Sequence, residues 1–307
     1  MSKGYGKFFA RLLILAASFF IIDLLIGSVL HHFYFTQTSG YQYRLTYVIE
    51  HSKEDMLVLG SSRANHHYVP GIFQDSLKLS FYNAGIDGQF ILFEDAVTRC
   101  ILKRYSPKYM ILDFSDDEFV FSETSYDRLS DLLPYYSDHS SEIESVINLR
   151  GRYEKIKLLS KMYPFNSVIL SIAVGNLELN QARKEDQQGY VPLSGNIDYN
   201  VKLLEPKEEK TDTNKINAFK DVIIRCQNAG VKLFVVVSPY YQSINSGSLK
   251  LGAEICGNMN VPFLDFSSDE LFVQKKELFK DAKHLNNTGA EIFSQKLAKD
   301  INSNLKK

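Results

Sequence analysis

Cysteine is scarce. Cys100, Cys226 and Cys256 are the three thiols in 307 residues, too few and too scattered for a disulfide framework or a zinc site. Cys226 and Cys256 would pair in an oxidising compartment; otherwise they are buried free thiols. Basic blocks are also missing. A net charge of -1 without a Lys/Arg-rich run argues against nucleic acid as a partner, because phosphate binding needs a basic footprint. There is no internal repeat and no low-complexity tract. With 45% hydrophobic and 23% charged residues, the chain has material for one good core and need not form more than one domain plus attachments.

The first long feature is apolar. After Lys3, Lys7 and Arg11, residues Leu12 to Leu30 are mostly Leu, Ile, Ala and Phe, enough helix to cross a hydrocarbon core of about 30 Å. The positive flank is expected to stay in the cytoplasm, with residues from about His31 onward outside. A cleavable signal peptide has a shorter apolar run and a small-x-small exit, whereas Gly27-Ser28-Val29-Leu30 leads into His31 and His32, so a retained anchor is expected. Asp23 interrupts the span. A carboxylate near mid-membrane marks either a contact with another membrane helix or a single tolerated acid in a strong anchor. Residues 33–52, rich in tyrosine, read as a juxtamembrane lead.

The rest of the chain alternates strands and helices. Met56 to Leu59 is a continuous apolar run, the sign of a strand covered on both faces, and Gly60 ends it before Ser61, Ser62 and Arg63. In an open α/β sheet the ligand crevice lies outside the carboxyl ends of the strands, which is where Ser61 or Ser62 would stand. Further strands are read at Phe81 onward, Tyr109 to Phe114, Val231 to Val237 and Val261 to Phe266. Helical spacing joins them at Ile91 to Ile101, Ile216 to Cys226, with Gly230 as its cap, and Ser248 to Met259. This rhythm implies a parallel sheet with crossovers. It breaks between about Glu123 and Thr213, where about Glu142 to Met162 looks helical, Ser167 to Val174 is apolar, and the remainder is polar and includes Lys207-Glu208-Glu209-Lys210. That stretch reads as an insertion or lid over part of the site.

Near the end, Asp281 and His284 precede a helix whose start is marked by Thr288 and Glu291 as a capping box. Imidazole takes a proton from a serine hydroxyl only if it is held in one tautomer, and an acid on the same short loop can do that by accepting the other N–H.

On these residues the chain resembles the SGNH or GDSL-type hydrolases, and more closely their membrane-anchored branch of glycan acyl-modifying proteins, including those that act with membrane-bound O-acyltransferases. The matching blocks are Gly60-Ser61-Ser62, Asn83-Ala84-Gly85-Ile86-Asp87-Gly88 and Asp281-Ala282-Lys283-His284, within residues 55–119 and 231–301. The resemblance implies a three-layer α/β/α, flavodoxin-like domain at 33–307 behind a stub and anchor at 1–32, with the insertion at about 123–213. It implies Ser62 as nucleophile, His284 as base and Asp281 as its orienter, with Ser62 and Gly88 as oxyanion donors. Arg63 and Asn286 are expected to bind substrate. One block departs. Where the family has Gly-x-Asn-Asp with Asn as an oxyanion donor, this chain has Ser115-Asp116-Asp117, so Asp117 holds that place without a proton to give, and Gln89 and Asn286 are the replacement donors that can be named.

The reading is serine-dependent transfer or removal of an acyl group, such as O-acetyl, on a cell-surface polysaccharide, with no metal or organic cofactor. Its alternatives are a non-catalytic subunit of the same fold that supports a membrane-bound O-acyltransferase through Asp23, and a glycan-binding module that uses the tyrosines. The expected lipid contact is residues 12–30. If Lys3, Lys7 and Arg11 stay inside, a reporter active only outside the cytoplasm will work when fused after Lys307. A cytoplasmic reporter active at that junction instead would remove the surface-glycan reading.

Overall fold

The computed structural model describes residues 2–179, 187–201 and 210–305. In chain order it contains α1 (Ser2–Phe35), α2 (Gly40–Thr46), β1 (Met56–Leu59), α3 (Ser62–His67), α4 (Pro70–Leu77), β2 (Phe81–Asn83), α5 (Ile91–Arg104) and β3 (Tyr109–Asp113). These are followed by α6 (Glu123–Asp127), α7 (Tyr136–Ile147), α8 (Glu154–Lys157), α9 (Ile169–Asn176), α10 (Thr213–Asn228), β4 (Lys232–Val237), α11 (Gly247–Asn258), β5 (Phe263–Asp265) and α12 (Asn287–Leu305).

The five strands form one parallel sheet in the order β2-β1-β3-β4-β5. Both faces are covered, which is why the central strands are apolar without alternation. Leu57 and Leu59 of β1, Met110 and Leu112 of β3, and Leu233, Val235 and Val237 of β4 point into the core shared with α5 and α10. Met56, Val58, Ile111, Phe234 and Val236 point the other way, toward Phe73 of α4 and Phe293 and Leu297 of α12. Each such side chain contributes about 1.5–3 kcal/mol when taken out of water. The chain leaves β1 toward β2 and then crosses back to β3, so the carboxyl ends of β1 and β3 flank the point where the winding reverses, the usual place for a ligand crevice.

Several local expectations change. The lead at residues 33–52 is mostly helical: α1 runs to Phe35, Gly40 (φ +86°) allows a turn, and α2 continues into a π-turn at Tyr47–His51. The Arg104 guanidinium closes that turn by donating to the carbonyls of Val48, Ile49 and Ser52, a cation on the exposed carbonyl end of a helix. The single helix expected over residues 142–162 is broken. Gly151 takes φ +152°, and the amides of Lys161 and Met162 are used elsewhere. The cap of α12 is Asn286, whose Oδ1 accepts from Gly289 N (3.0 Å), while Glu291 receives Asn287 Nδ2. The three cysteines are free and buried, so Cys226 and Cys256 are not paired. The run Lys207-Glu208-Glu209-Lys210 falls mostly outside the described residues.

α1 is long and apolar enough to cross a membrane, with a mean hydropathy of 2.5 over its best window. Asp23 has partners within the chain. Its carboxylate accepts from Ser160 Oγ (2.5 Å), Lys161 N (2.7 Å) and Met162 N (3.2 Å). One turn on, Gly27 lies so close to the Lys161 backbone that a Cβ would collide with it. Two of the three donors are backbone amides that lack a helical acceptor, so Asp23→Ala strands them. In lipid nanodiscs this substitution should speed hydrogen exchange at Lys161 and Met162 about tenfold or more; unchanged exchange would mean that the carboxylate does not hold the segment.

Candidate active site

β1 delivers the hydroxyls. Gly60 leaves the strand at φ +142° with its Cα pressed between Asp113 and Ala64, where a Cβ would clash. Ser61 is extended, and Ser62 opens α3, so the Ser62 amide faces outward without an intrahelical acceptor. Ser62 Oγ lies 2.7 Å from His284 Nε2. His284 Nδ1 is 3.0 Å from both carboxylate oxygens of Asp281. Burial alone would raise the Asp281 pKa, but the His284 ring and the amides of Lys283 and His284 outweigh it and hold the acid at about 2. An ionised Asp281 assigns the proton to Nδ1 and leaves Nε2 to accept from Ser62. The structure thus brings together all three residues expected to do the chemistry.

α3 also grips the histidine loop from behind. Arg63 was expected to bind substrate, but its side chain is buried. It donates to Lys283 O (3.2 Å), to Ser238 Oγ (2.7 Å) and to Ser238 O, stacks on the Tyr240 ring at 3.6 Å, and lies 3.7 Å from Asp113. Its role is to fix the loop. His67 does the same: Nε2 accepts from Leu285 N (2.9 Å) while Nδ1 meets Ser238 Oγ (2.9 Å). Burial, then the Arg63 and His284 charges, depress the His67 pKa well below its ordinary value, so it stays neutral. Sequence reasoning missed His67, whose partners Leu285 and Ser238 come together only after folding.

Asn286 is the second correction. Its Nδ2 donates to Gly195 O, Asn196 Oδ1 and Glu277 O, and its Oδ1 caps α12. No donor remains for substrate or oxyanion. Gln89 is likewise taken, donating to Tyr41 Oη (2.9 Å) and Asp131 Oδ2 (2.7 Å). Asp117 accepts from Ser115 Oγ (2.9 Å) and stands 3.6 Å from Lys283 Nζ. Burial opposes its ionisation, but Lys283 and Ser115 prevail and lower its pKa, so it is an ionised acceptor and not an oxyanion donor.

The loop with Gly88 is tied to α3. Asp87 accepts from Asn65 Nδ2 (2.6 Å) and lies 3.5 Å from His66 Nε2; burial works against its charge, yet these partners hold its pKa at about 2. Gly88 takes φ +73°, and a Cβ there would collide with the Arg128 guanidinium, whose Nη1 donates to Asp87 O (3.2 Å). A cation therefore lies against the glycine expected to hold the oxyanion. Arg128 gave no sign in the sequence, because it stands alone where the rhythm is broken. Beneath Gly60, burial and the neighbouring Glu118 push the Glu94 pKa well up, which disfavours its charged form. No group of His, Cys, Asp and Glu suited to a metal ion occurs among the described residues. A cavity of about 590 Å³ lies away from Ser62, between Ser28 and His31 of α1 and Tyr136, Asp138 and Phe165.

No family model matches the sequence. No curated protein matches it. Among solved structures, a protein attributed to the lipolytic G-D-S-L family from Desulfitobacterium hafniense DCB-2 aligns with 80% of this chain and 97% of its own, at a TM-score of 0.39 and 11% identity.

The neutral state of His67 sets a pH dependence. The unfolded chain binds a proton at His67 below about pH 6.5 while the folded chain does not, so this residue's share of stability is complete above about 6.5 and falls as pH drops, by up to about 1.4 kcal/mol per pH unit. His67→Gln removes that titration. The variant should be less stable than the parent at pH 7.5, with the deficit shrinking as pH falls below 6.5. A deficit independent of pH in denaturant titrations would show that His67 is not held neutral.

Proposed function

We propose that this chain is a membrane-anchored serine acyltransferase or esterase that acts on an O-acyl group, such as acetyl, of a cell-surface polysaccharide. The observation that carries the chemistry is the unbroken chain from Ser62 Oγ through both ring nitrogens of His284 to Asp281. In this reading Ser62 attacks the acyl carbonyl as His284 takes its proton at Nε2. The imidazolium so formed is stabilised by Asp281 and returns the proton to the departing oxygen. The resulting acyl-Ser62 ester then passes its acyl group to a sugar hydroxyl or to water, with His284 again serving as base. The amides of Ser62 and Gly88 hold the developing oxyanion, and the Arg128 cation beside Gly88 adds to the field that favours it.

The segment 123–213 serves as cover in this proposal. Residues 128–131 reach Asp87 and Gln89 on one side, and residues 189–196 reach His66, Asn65 and Asn286 on the other. The anchor at residues 12–30 would hold the domain 33–307 outside the cytoplasmic membrane, next to its polymer.

The test is turnover of a chromogenic acetyl ester by the full chain in nanodiscs. Ser62→Ala and His284→Ala should each lower kcat by about 10,000-fold or more and Asp281→Asn by about 10,000-fold, the pattern of groups that work as a unit. Ser61→Ala should retain most activity. Equal turnover by the Ser62→Ala protein would overturn the assignment.

A further inference from the structure

The described residues outside α1 expose twelve large apolar side chains, and eight of them fall within 149–179: Leu149, Tyr153, Ile156, Leu159, Ile169, Leu170, Leu177 and Leu179. Leu159 and Leu170 are 77% and 76% exposed. Such crowding of apolar surface in one short stretch marks an interface and is not the ordinary scatter of a soluble surface.

Its position along α1 identifies what lies against it. The segment is docked on one face of α1, through Asp23, Gly27, His31 and Tyr34, which recur at helical spacing. Asp23 holds the amides of Lys161 and Met162, Gly27 abuts Lys161, and the Phe165 ring packs 6.0 Å from His31 and 5.7 Å from Tyr34. Further on, Asn176 donates to Phe33 O (2.8 Å), and Gly175 packs on Gln37. The other sides of the same turns carry Leu25, Ile26, Val29 and Phe33, all exposed. From Asp23 to Phe33 the helix rises about 15 Å, half the depth of a hydrocarbon core. A segment clamped to that half of a spanning helix shares its depth. Charge agrees with this placement. Residues 149–161 carry Arg150, Arg152, Lys155, Lys157 and Lys161 against the single acid Glu154, the mixture of cations and apolar side chains that lies in anionic headgroups.

We infer that residues 149–179 form a second membrane contact, seated in one leaflet beside α1, with Leu159 and Leu170 among the acyl chains and Arg150, Arg152, Lys155 and Lys157 toward the headgroups. The inference rests on the proposed span, not on the Ser62 chemistry. The occupant is lipid, and the apolar side of the segment continues the apolar side of the helix. Seated in this way, the domain is held by two elements and cannot swivel freely about a single helix.

The experiment uses the full chain in phosphatidylcholine–phosphatidylglycerol nanodiscs, with an NBD probe on single introduced cysteines at Leu159→Cys, Leu170→Cys, Leu15→Cys and Lys299→Cys. The native thiols are buried, with pKa values pushed up to about 12, and resist labelling. Brominated acyl chains should quench the probes at 15, 159 and 170 about twofold and leave the probe at 299, on α12, unchanged. Quenching at 15 without quenching at 159 and 170 would overturn the inference while the anchor stands. No quenching at 15 would overturn the span and the inference together.

Discussion

The grip of α3 on the loop 281–285 is the constraint on which the site depends. One short helix sends Ser62 to the His284 ring, Arg63 to the Lys283 carbonyl and His67 to the Leu285 amide. A loop held by its backbone at two places and by its ring at a third has little freedom left. The rotamer of His284 is thereby set by packing beneath it and not by the serine alone. Ser238, at the end of β4, links the two holders by bonding both Arg63 and His67. The strand ends and the histidine loop therefore form one hydrogen-bonded body, and a change of a few tenths of an ångström in α3 reaches the nucleophile and its base together. This is the arrangement expected where catalytic geometry must be held tightly, since small misplacements cost large factors in rate.

What the sequence disclosed follows from the range of each signal. Continuous apolar runs locate the central strands β1, β3 and β4 to within a few residues, because burial on both faces leaves no alternation to misread. Asp281 and His284 were legible because both lie on one short loop before a helix. Arg63 and Asn286 were misassigned for the opposite reason. A polar residue next to a nucleophile or a base resembles a substrate ligand in one dimension, and only the fold reveals that its donors are spent on carbonyls from residues far along the chain. Arg128, His67 and Glu94 were invisible for the same cause. Their meaning comes from what lies across the site, and nothing nearby in sequence announces it.

The segment 149–179 shows how one acid can redirect local structure. Helical propensity favours continuing through residues 158–162, yet the amides there bond to Asp23, about 140 positions earlier. A carboxylate accepting two N–H groups and a hydroxyl at the edge of an apolar helix outweighs the intrahelical bonds it displaces, since charge-assisted bonds are the stronger kind. The same contact removes the difficulty that Asp23 posed as a lone acid in an apolar span.

The third block raises a question of charge that the neighbouring groups answer. Asp117 is ionised, but its charge is taken up by Lys283 and Ser115, while Asp116 accepts from Tyr240 and lies 3.3 Å from the same lysine. Of the other acids near the strand ends, Glu94 has its charged form disfavoured by burial. The acids of the third block are thus paired with a cation, and Arg128 stands against Gly88 on a side that also holds the ionised Asp87 and, within reach of its charge, Asp131. In the proposed function the oxyanion is favoured by the amides of Ser62 and Gly88 and by Arg128, without an asparagine at position 117. The cation against Gly88 is Arg128, an exposed side chain. In the proposed function, its contribution is screened by salt and strengthens as a bound polymer excludes water, since the same charge acts more strongly in a drier site.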